Sequence, residues 1–201
     1  MCNTMPMTVS KTRDMLVDVA RQLFARMGAD NTTMNDIAQA PRQGRRTLYT
    51  YFKSKNEIYL AVVESELDQL HKMLVDVASK DLPADEKLLT FIYSRLDAVK
   101  ALVFRNGTLR ATFFRDIWRV EKVRKGVDLR EVEIIKGILD DGVKEGIFSM
   151  PDTDITALVL HHALKGLEVP YIRGIMGDNI SQRIKRRDNV MNLIFNGIKI
   201  K

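Results

Sequence analysis

Apolar side chains recur every three to four residues along nearly the whole chain, and that spacing predicts an all-α protein. Leu16, Val19, Ala20, Leu23, Phe24 and Met27 form one stripe, closed by Gly28, where a helix commonly stops in the left-handed conformation. Thr33 followed by Asp36 is a capping-box-like start for a second helix through Ile37 and Ala38, which Pro41 ends. A third short helix is expected over 45–52, after Gly44. Ser54-Lys55-Asn56-Glu57 is a full capping box and opens a long fourth helix carrying Ile58, Val62, Leu70, Met73, Leu74 and Val77. Pro83 marks the next break. Further helices are expected at about 85–104, 107–120, 127–146, 153–175 and 181–199. Gly166 and Pro170 are expected to kink or shorten the fourth of these.

The two C-terminal segments are apolar on two sides. Ile155, Leu158, Val159 and His162 make one stripe of the first, and Ala157, Leu160, Leu164, Leu167 and Tyr171 another. In the second, Ile184, Met191, Ile194, Phe195 and Ile198 are backed by Val190 and Leu193. One apolar face joins a helix to its own core; a second face asks for another partner, and a two-fold homodimer is the commonest solution. The other reading places both helices at the centre of a monomer.

Charge sharpens the picture only when split by position. The 201 residues carry 32 Lys+Arg and 26 Asp+Glu, a formal net charge of +6. Residues 1–55 hold 9 basic and 4 acidic side chains, so nearly all the excess sits in the first quarter of the chain. That pattern fits an anionic partner for the segment, or a solvated basic surface. A single cysteine, Cys2, excludes an intrachain disulfide and a Cys-based zinc site, and points to a reducing compartment. No apolar run reaches the ~18 residues of a membrane span, and MCNTMPMTVS lacks the basic start and apolar stretch of a secretory signal. A soluble, cytoplasmic protein without membrane association is expected.

Residues 33–52 have the layout of a helix-turn-helix, whose second helix enters the DNA major groove. Ile37, Ala38, Leu48 and Phe52 are spaced to pack the two helices on each other and on Leu23 and Phe24. Arg45 and Arg46 stand in the first turn of the second helix, where a guanidinium can grip guanine O6 and N7 together. Two cations there oppose the helix dipole, a cost that an anionic partner relieves. Thr47, Tyr49, Thr50 and Tyr51 offer hydroxyls to phosphate oxygens or methyl contacts to thymine, and Lys53 and Lys55 continue the basic edge. Packing with a wet hydroxyl is the alternative role for Tyr49 and Tyr51. Thr33 and Arg42 complete the candidate DNA-binding set.

Thr33-Met34-Asn35-Asp36-Ile37-Ala38 and Thr47-Leu48-Tyr49-Thr50-Tyr51-Phe52-Lys53-Ser54-Lys55 closely resemble the TetR family of bacterial transcriptional regulators, over about residues 9–69. The resemblance implies a three-helix DNA-binding domain at 9–69 with its recognition helix at about 45–51. A long helix would join it to a ligand-binding, dimer-forming helical domain at 70–201. It implies that Thr47, Tyr49, Tyr51 and Lys55 contact the DNA backbone, and that Arg45, Arg46 and Thr50 help to read sequence. The pattern departs at Arg42, Gln43 and Gly44, where the family usually places Gly, an aliphatic residue and a capping Ser or Thr. Those departures bear on the operator sequence.

The expected function is a homodimeric repressor-type regulator that binds palindromic double-stranded operator DNA and is released by a small-molecule effector. The alternative is a helical ligand-binding or adaptor dimer that no longer uses its DNA surface. Phe91, Phe104, Phe113, Phe114, Trp118 and His162 are the candidate lining of an effector pocket, with ordinary core packing as the competing reading. The candidate dimer interface comprises Ile155, Leu158, Val159, His162, Met191, Ile194, Phe195 and Ile198. No catalytic constellation, phosphate-binding glycine loop or metal-ligand spacing is found, so neither enzyme activity, nor a cofactor, nor a metal is expected.

Overall fold

A computed structural model of the chain describes residues 6–39, 44–105 and 117–174, with the single positions 189, 192, 193 and 196. Every regular element among these residues is an α-helix: α1 (Pro6–Met27), α2 (Met34–Gln39), α3 (Gly44–Tyr51), α4 (Lys55–Ala78), α5 (Ala84–Arg105), α6 (Ile117–Lys144) and α7 (Thr153–Ile172). The chain forms two units. One holds the described residues up to Leu67 and from Leu102 to Arg124; the other holds those from Asp68 to Ala101 and from Lys125 onward.

In the first unit the helical stripes become a core. Leu16, Ala20, Phe24, Ile37, Ala38, Leu48, Phe52, Ile58 and Val62 are all buried, and α2 packs on both α1 and α3. Gly28 closes α1 at φ 95°, with its amide donating to Phe24 O at 3.0 Å. Thr32, fully buried, returns its hydroxyl to Gly28 O at 2.6 Å. A partly buried ion pair, Arg21 Nε to Glu66 Oε1 at 2.7 Å, ties α1 to α4, and Arg21 also donates to Ser65 Oγ at 2.8 Å.

The second unit has its own apolar core, in which Leu74, Leu88, Phe91, Ile92, Ile135, Leu139, Phe148, Ala157 and Leu164 are enclosed. Gly142 is there for space. A Cβ at that position would overlap the Phe148 ring and meet Ala84 Cβ at 2.9 Å. The Gly142 carbonyl accepts from the amides of Ile147 at 2.9 Å and Phe148 at 3.0 Å, folding the end of α6 back over this ring. Asp152 caps α7 by accepting from Ile155 N at 2.9 Å.

One helix expectation is corrected. The pattern suggested helices at about 107–120 and 127–146, whereas α6 is one helix from Ile117 to Lys144. It continues through Gly126, which is exposed with open space where a Cβ would stand, so the glycine costs helix propensity without breaking the packed stripe of Val127, Glu131, Ile135 and Ile138. α7 ends at Ile172, just after Pro170 and short of the expected end at about 175. Pro170 lies in the last turn, and Gly166, whose carbonyl it deprives of a donor, is exposed to water.

Candidate nucleic-acid interface

The site is built on α2 and α3. At the start of α2, Thr33 Oγ1 accepts from the Asp36 amide at 3.2 Å and the Asp36 carboxylate accepts from the Thr33 amide at 2.8 Å. This is the reciprocal capping box that Thr33 and Asp36 predict. The backbone N–H of Thr33, and then its hydroxyl, hold the Asp36 carboxyl below the usual carboxylate range. The Thr33 hydroxyl hydrogen is directed to Asp36 Oδ2 at 2.7 Å, which leaves the hydroxyl only acceptor capacity outward.

Gly44 opens α3 at φ 77°, a left-handed conformation that side chains rarely adopt, and nothing lies within 4 Å of the place a Cβ would take. Glycine is therefore required here by backbone conformation, not by space. Along α3, Leu48 is buried and Phe52 follows it into the core. Arg45, Arg46, Tyr49 and Thr50 are exposed. The spacing i, i+1, i+4, i+5 places these four on one face, opposite the buried one. No acidic residue occurs in the helix. Thr47 and Tyr51 are half-buried at the margins of this face. Two arginines, a tyrosine and a threonine on an acid-free helix face are suited to phosphates and to the acceptor edges of bases.

Internal hydrogen bonds refine the roles of individual candidates. Arg45 Nε donates to Asn35 Oδ1 on α2 at 2.7 Å. Thr50 Oγ1 donates to Arg46 O, one turn back, at 2.9 Å, so its methyl and lone pairs are what it offers outward. The Lys53 side chain is exposed, and its amide donates to Glu57 Oε2 at 2.7 Å. The second capping box thus reaches one residue further back than Ser54, whose Oγ accepts from Glu57 N at 3.2 Å. Lys55 is half-buried and its ammonium spans the turn after α1, donating to Ala29 O at 2.8 Å and Asp30 O at 3.1 Å. Arg13 lies over the Phe52 ring at 5.6 Å from its centroid. Arg42 lies outside the described residues.

The candidates for the other functions separate. Phe91 is fully enclosed in the apolar core of the second unit, Phe104 belongs to the first unit and is 51% exposed, and His162 is exposed. Phe113 and Phe114 lie outside the described residues, as does the side chain of Trp118. Ile155, Leu158 and Val159 are 62%, 46% and 60% exposed and share one face of α7 with His162. Met191, Ile194, Phe195 and Ile198 lie outside the described residues.

Two features of the protein leave no trace in the apolar spacing alone. One is Asn35. The other is a buried charged cluster in the second unit, where Arg95, Glu131, Glu168 and His161 are each at most 5% exposed. Arg95 pairs through Nε with Glu131 and through Nη2 with Glu168 at 2.8 Å. His161 Nδ1 lies 3.3 Å from Glu131 Oε1, and its Nε2 lies 3.6 Å from Asp128 Oδ1. Lys165 donates to Asp128 Oδ2 at 2.7 Å. The available signal was positional: Arg95 falls in the stripe Leu88, Phe91, Ile92, Leu96, Val99, and Glu131 in the stripe Val127, Ile135, Ile138, where a charge must be paired.

A short α2 and, after four intervening residues, an exposed, basic α3 on a three-helix core define a helix-turn-helix DNA-binding protein. Residues 16–62 match the model of a family described as bacterial regulatory proteins, tetR family. The chain is similar to the HTH-type transcriptional regulator QacR of Staphylococcus aureus, at 20% identity over 92% of this chain and 97% of that one. It is similar to the HTH-type transcriptional repressor KstR2 of Rhodococcus jostii, at 29% identity over 69% of each. A transcriptional regulator from Cytophaga hutchinsonii shares the fold, with a TM-score of 0.75 at 23% identity over 93% of this chain and 98% of that one. Residues 16–62 carry the helix-turn-helix of that family, in a chain whose relatives along most of its length are helix-turn-helix transcriptional regulators. No helix among the described residues is long and apolar enough to cross a membrane.

Proposed function

We propose that the chain acts as a homodimeric repressor, with α3 of each protomer in the major groove of one half of a palindromic operator. The observation that carries this reading is the acid-free α3 face of Arg45, Arg46, Tyr49 and Thr50, presented outward while Leu48 anchors the helix to α2. Arg45 and Arg46 read base edges, with the Thr50 methyl beside them. Thr33, Arg42, Thr47, Tyr49, Tyr51, Lys53 and Lys55 serve the phosphates. The exposed stripe Ile155, Leu158, Val159 supports a second copy of the chain as partner, and Met191, Ile194, Phe195 and Ile198 extend that interface. Half-sites one helical turn apart, about 34–36 Å or a multiple, follow from two-fold symmetry.

A small-molecule effector releases the DNA by favouring a spacing of the two recognition helices that no longer fits the half-sites. It does so only to the extent of its difference in affinity for the two spacings. Repression is proposed by analogy with KstR2, whose name states that activity. The test is selection of bound duplexes from a random-sequence library at moderate salt. A two-fold symmetric motif is expected, with base preferences that relax in Arg45→Ala and Arg46→Ala. Absence of any enriched motif overturns the reading and favours an adaptor dimer with an idle DNA surface.

A further inference from the structure

Asn35 and Arg45 come from different helices, and their hydrogen bond spans the helix-turn-helix. The identity of the atoms is settled by chemistry. An arginine only donates, so the amide must present its oxygen to Nε. That contact uses one of the five N–H groups of the guanidinium, and no other partner holds it among the described residues. The remaining four N–H groups are on Nη1 and Nη2, the end of the fork. With Nε engaged by α2, the plane of the guanidinium is fixed about its last bond, and its free end is the edge able to make two parallel hydrogen bonds to guanine O6 and N7. Fixing that plane before binding removes rotamer freedom that a long, exposed arginine would otherwise lose on the DNA.

Arg46 is the contrasting case. It occupies the next position of the same exposed helix start, and no hydrogen bond from its side chain to the protein is found among the described residues. One of two adjacent arginines is therefore held by α2 and the other is not. The pair is structurally unequal even though the sequence presents it as a repeat.

Resting on the DNA-binding reading above, we propose that Asn35 is a specificity-positioning residue: through its amide oxygen it orients Arg45 so that Arg45 selects a guanine in each operator half-site. Asn35 itself reads no base in this arrangement. Its effect is confined to the base pair that Arg45 reads.

The experiment compares base-preference profiles from a random duplex library for the full-length wild type and three variants. Arg45→Ala identifies the position at which a guanine preference disappears. Asn35→Leu, close in volume but with no acceptor, should lower the guanine preference at that same position by about three- to tenfold, leaving the other positions unchanged. Asn35→Asp, which keeps an acceptor on Arg45, should retain the guanine preference while binding all duplexes more weakly, because it adds a negative charge near the phosphates. Thermal unfolding by circular dichroism confirms that each variant is folded. The proposal is overturned if Asn35→Leu keeps the full preference, if its loss is spread evenly over every position, or if Arg45→Ala leaves the profile unaltered. A wild type that enriches no motif overturns the regulator reading itself, a result distinct from all three.

Discussion

The ammonium of Lys55 stands 2.8 Å from the carbonyl oxygen of Ala29, joining the first residue of α4 to the turn that follows α1. That bond, with its companion to Asp30 O at 3.1 Å, gives an internal role to a residue whose sequence position suggests only a phosphate contact. The ammonium has three donors, and two are used in this way.

Lys55→Ala should therefore lower the stability of the first unit by about 1–2 kcal/mol, the loss of charge-assisted hydrogen bonds that are partly buried. Urea unfolding measures it. Salt titration of DNA binding separates the two roles: a phosphate contact adds about one to the slope of log affinity against log salt, and the structural bond adds nothing. An unchanged urea midpoint would show that the bond to Ala29 contributes nothing.

Gly44→Ala should destabilise the folded chain by about 1–2 kcal/mol, since alanine must adopt φ 77° at the start of α3. Gly44→Asn should cost less, because asparagine tolerates the left-handed region. The neighbourhood is open, so a clash does not enter the comparison. Equal unfolding midpoints for the two variants would contradict this account.

His161 should make stability depend on pH. Burial is the largest single influence on it and disfavours the charged ring, but the carboxylates of Asp128 and Glu131 facing its two nitrogens outweigh it and raise the pKa above 6.5. The groups around the ring are Asp128 and Glu131 on α6, Arg95 on α5 through Glu131, and His162, Lys165 and Glu168 on α7. A raised folded-state pKa gives stability that is fully present below pH 6.5 and is lost as pH rises through the folded value. His161→Gln should flatten that decline in urea midpoints measured from pH 6 to 9. A variant with the same slope as the wild type would remove His161 from the explanation. Glu131 acts in the opposite direction. Burial, its largest influence, raises its pKa, but the nearby His161 ring and the charge of Arg95 prevail and hold it below 4.5, so its contribution is lost only in acid.

Replacing both Leu158 and Val159 with glutamate should yield a monomer by light scattering with unchanged helical content. Both side chains are already exposed, so the fold does not depend on them. Loss of symmetric operator binding should accompany the change. A dimer that persists would move the interface away from this face of α7.

How far the sequence could be read differs between the two units. Helices α1 to α4 were legible because local signals agreed: the stripe from Leu16 to Phe24, the Thr33–Asp36 box, and Leu48 with Phe52 as the buried side of α3. The outward face of α3 followed from the same periodicity. What was not legible depends on pairing across helices. Nothing near Asn35 in the sequence shows that it lies beside Arg45, ten residues on, and nothing near Lys55 points back to Ala29. The single run of α6 was not legible from the spacing, although Val127 and Glu131, one turn apart on it, are both buried. The proposed effector-pocket aromatics illustrate the same limit: Phe91 and Phe104 look alike in sequence, yet one is core and the other is exposed.

The buried charges on α7 have a consequence for the helix that carries them. Turning α7 by one residue, about 100°, would withdraw His161 and Glu168 from Glu131 and Arg95 and leave several ions without partners in an apolar interior. Oily cores tolerate such slippage; a keyed one does not. The cluster therefore indexes the helix, and the outward aim of Ile155, Leu158 and Val159 is decided from the opposite side, by residues that never meet the surface they set.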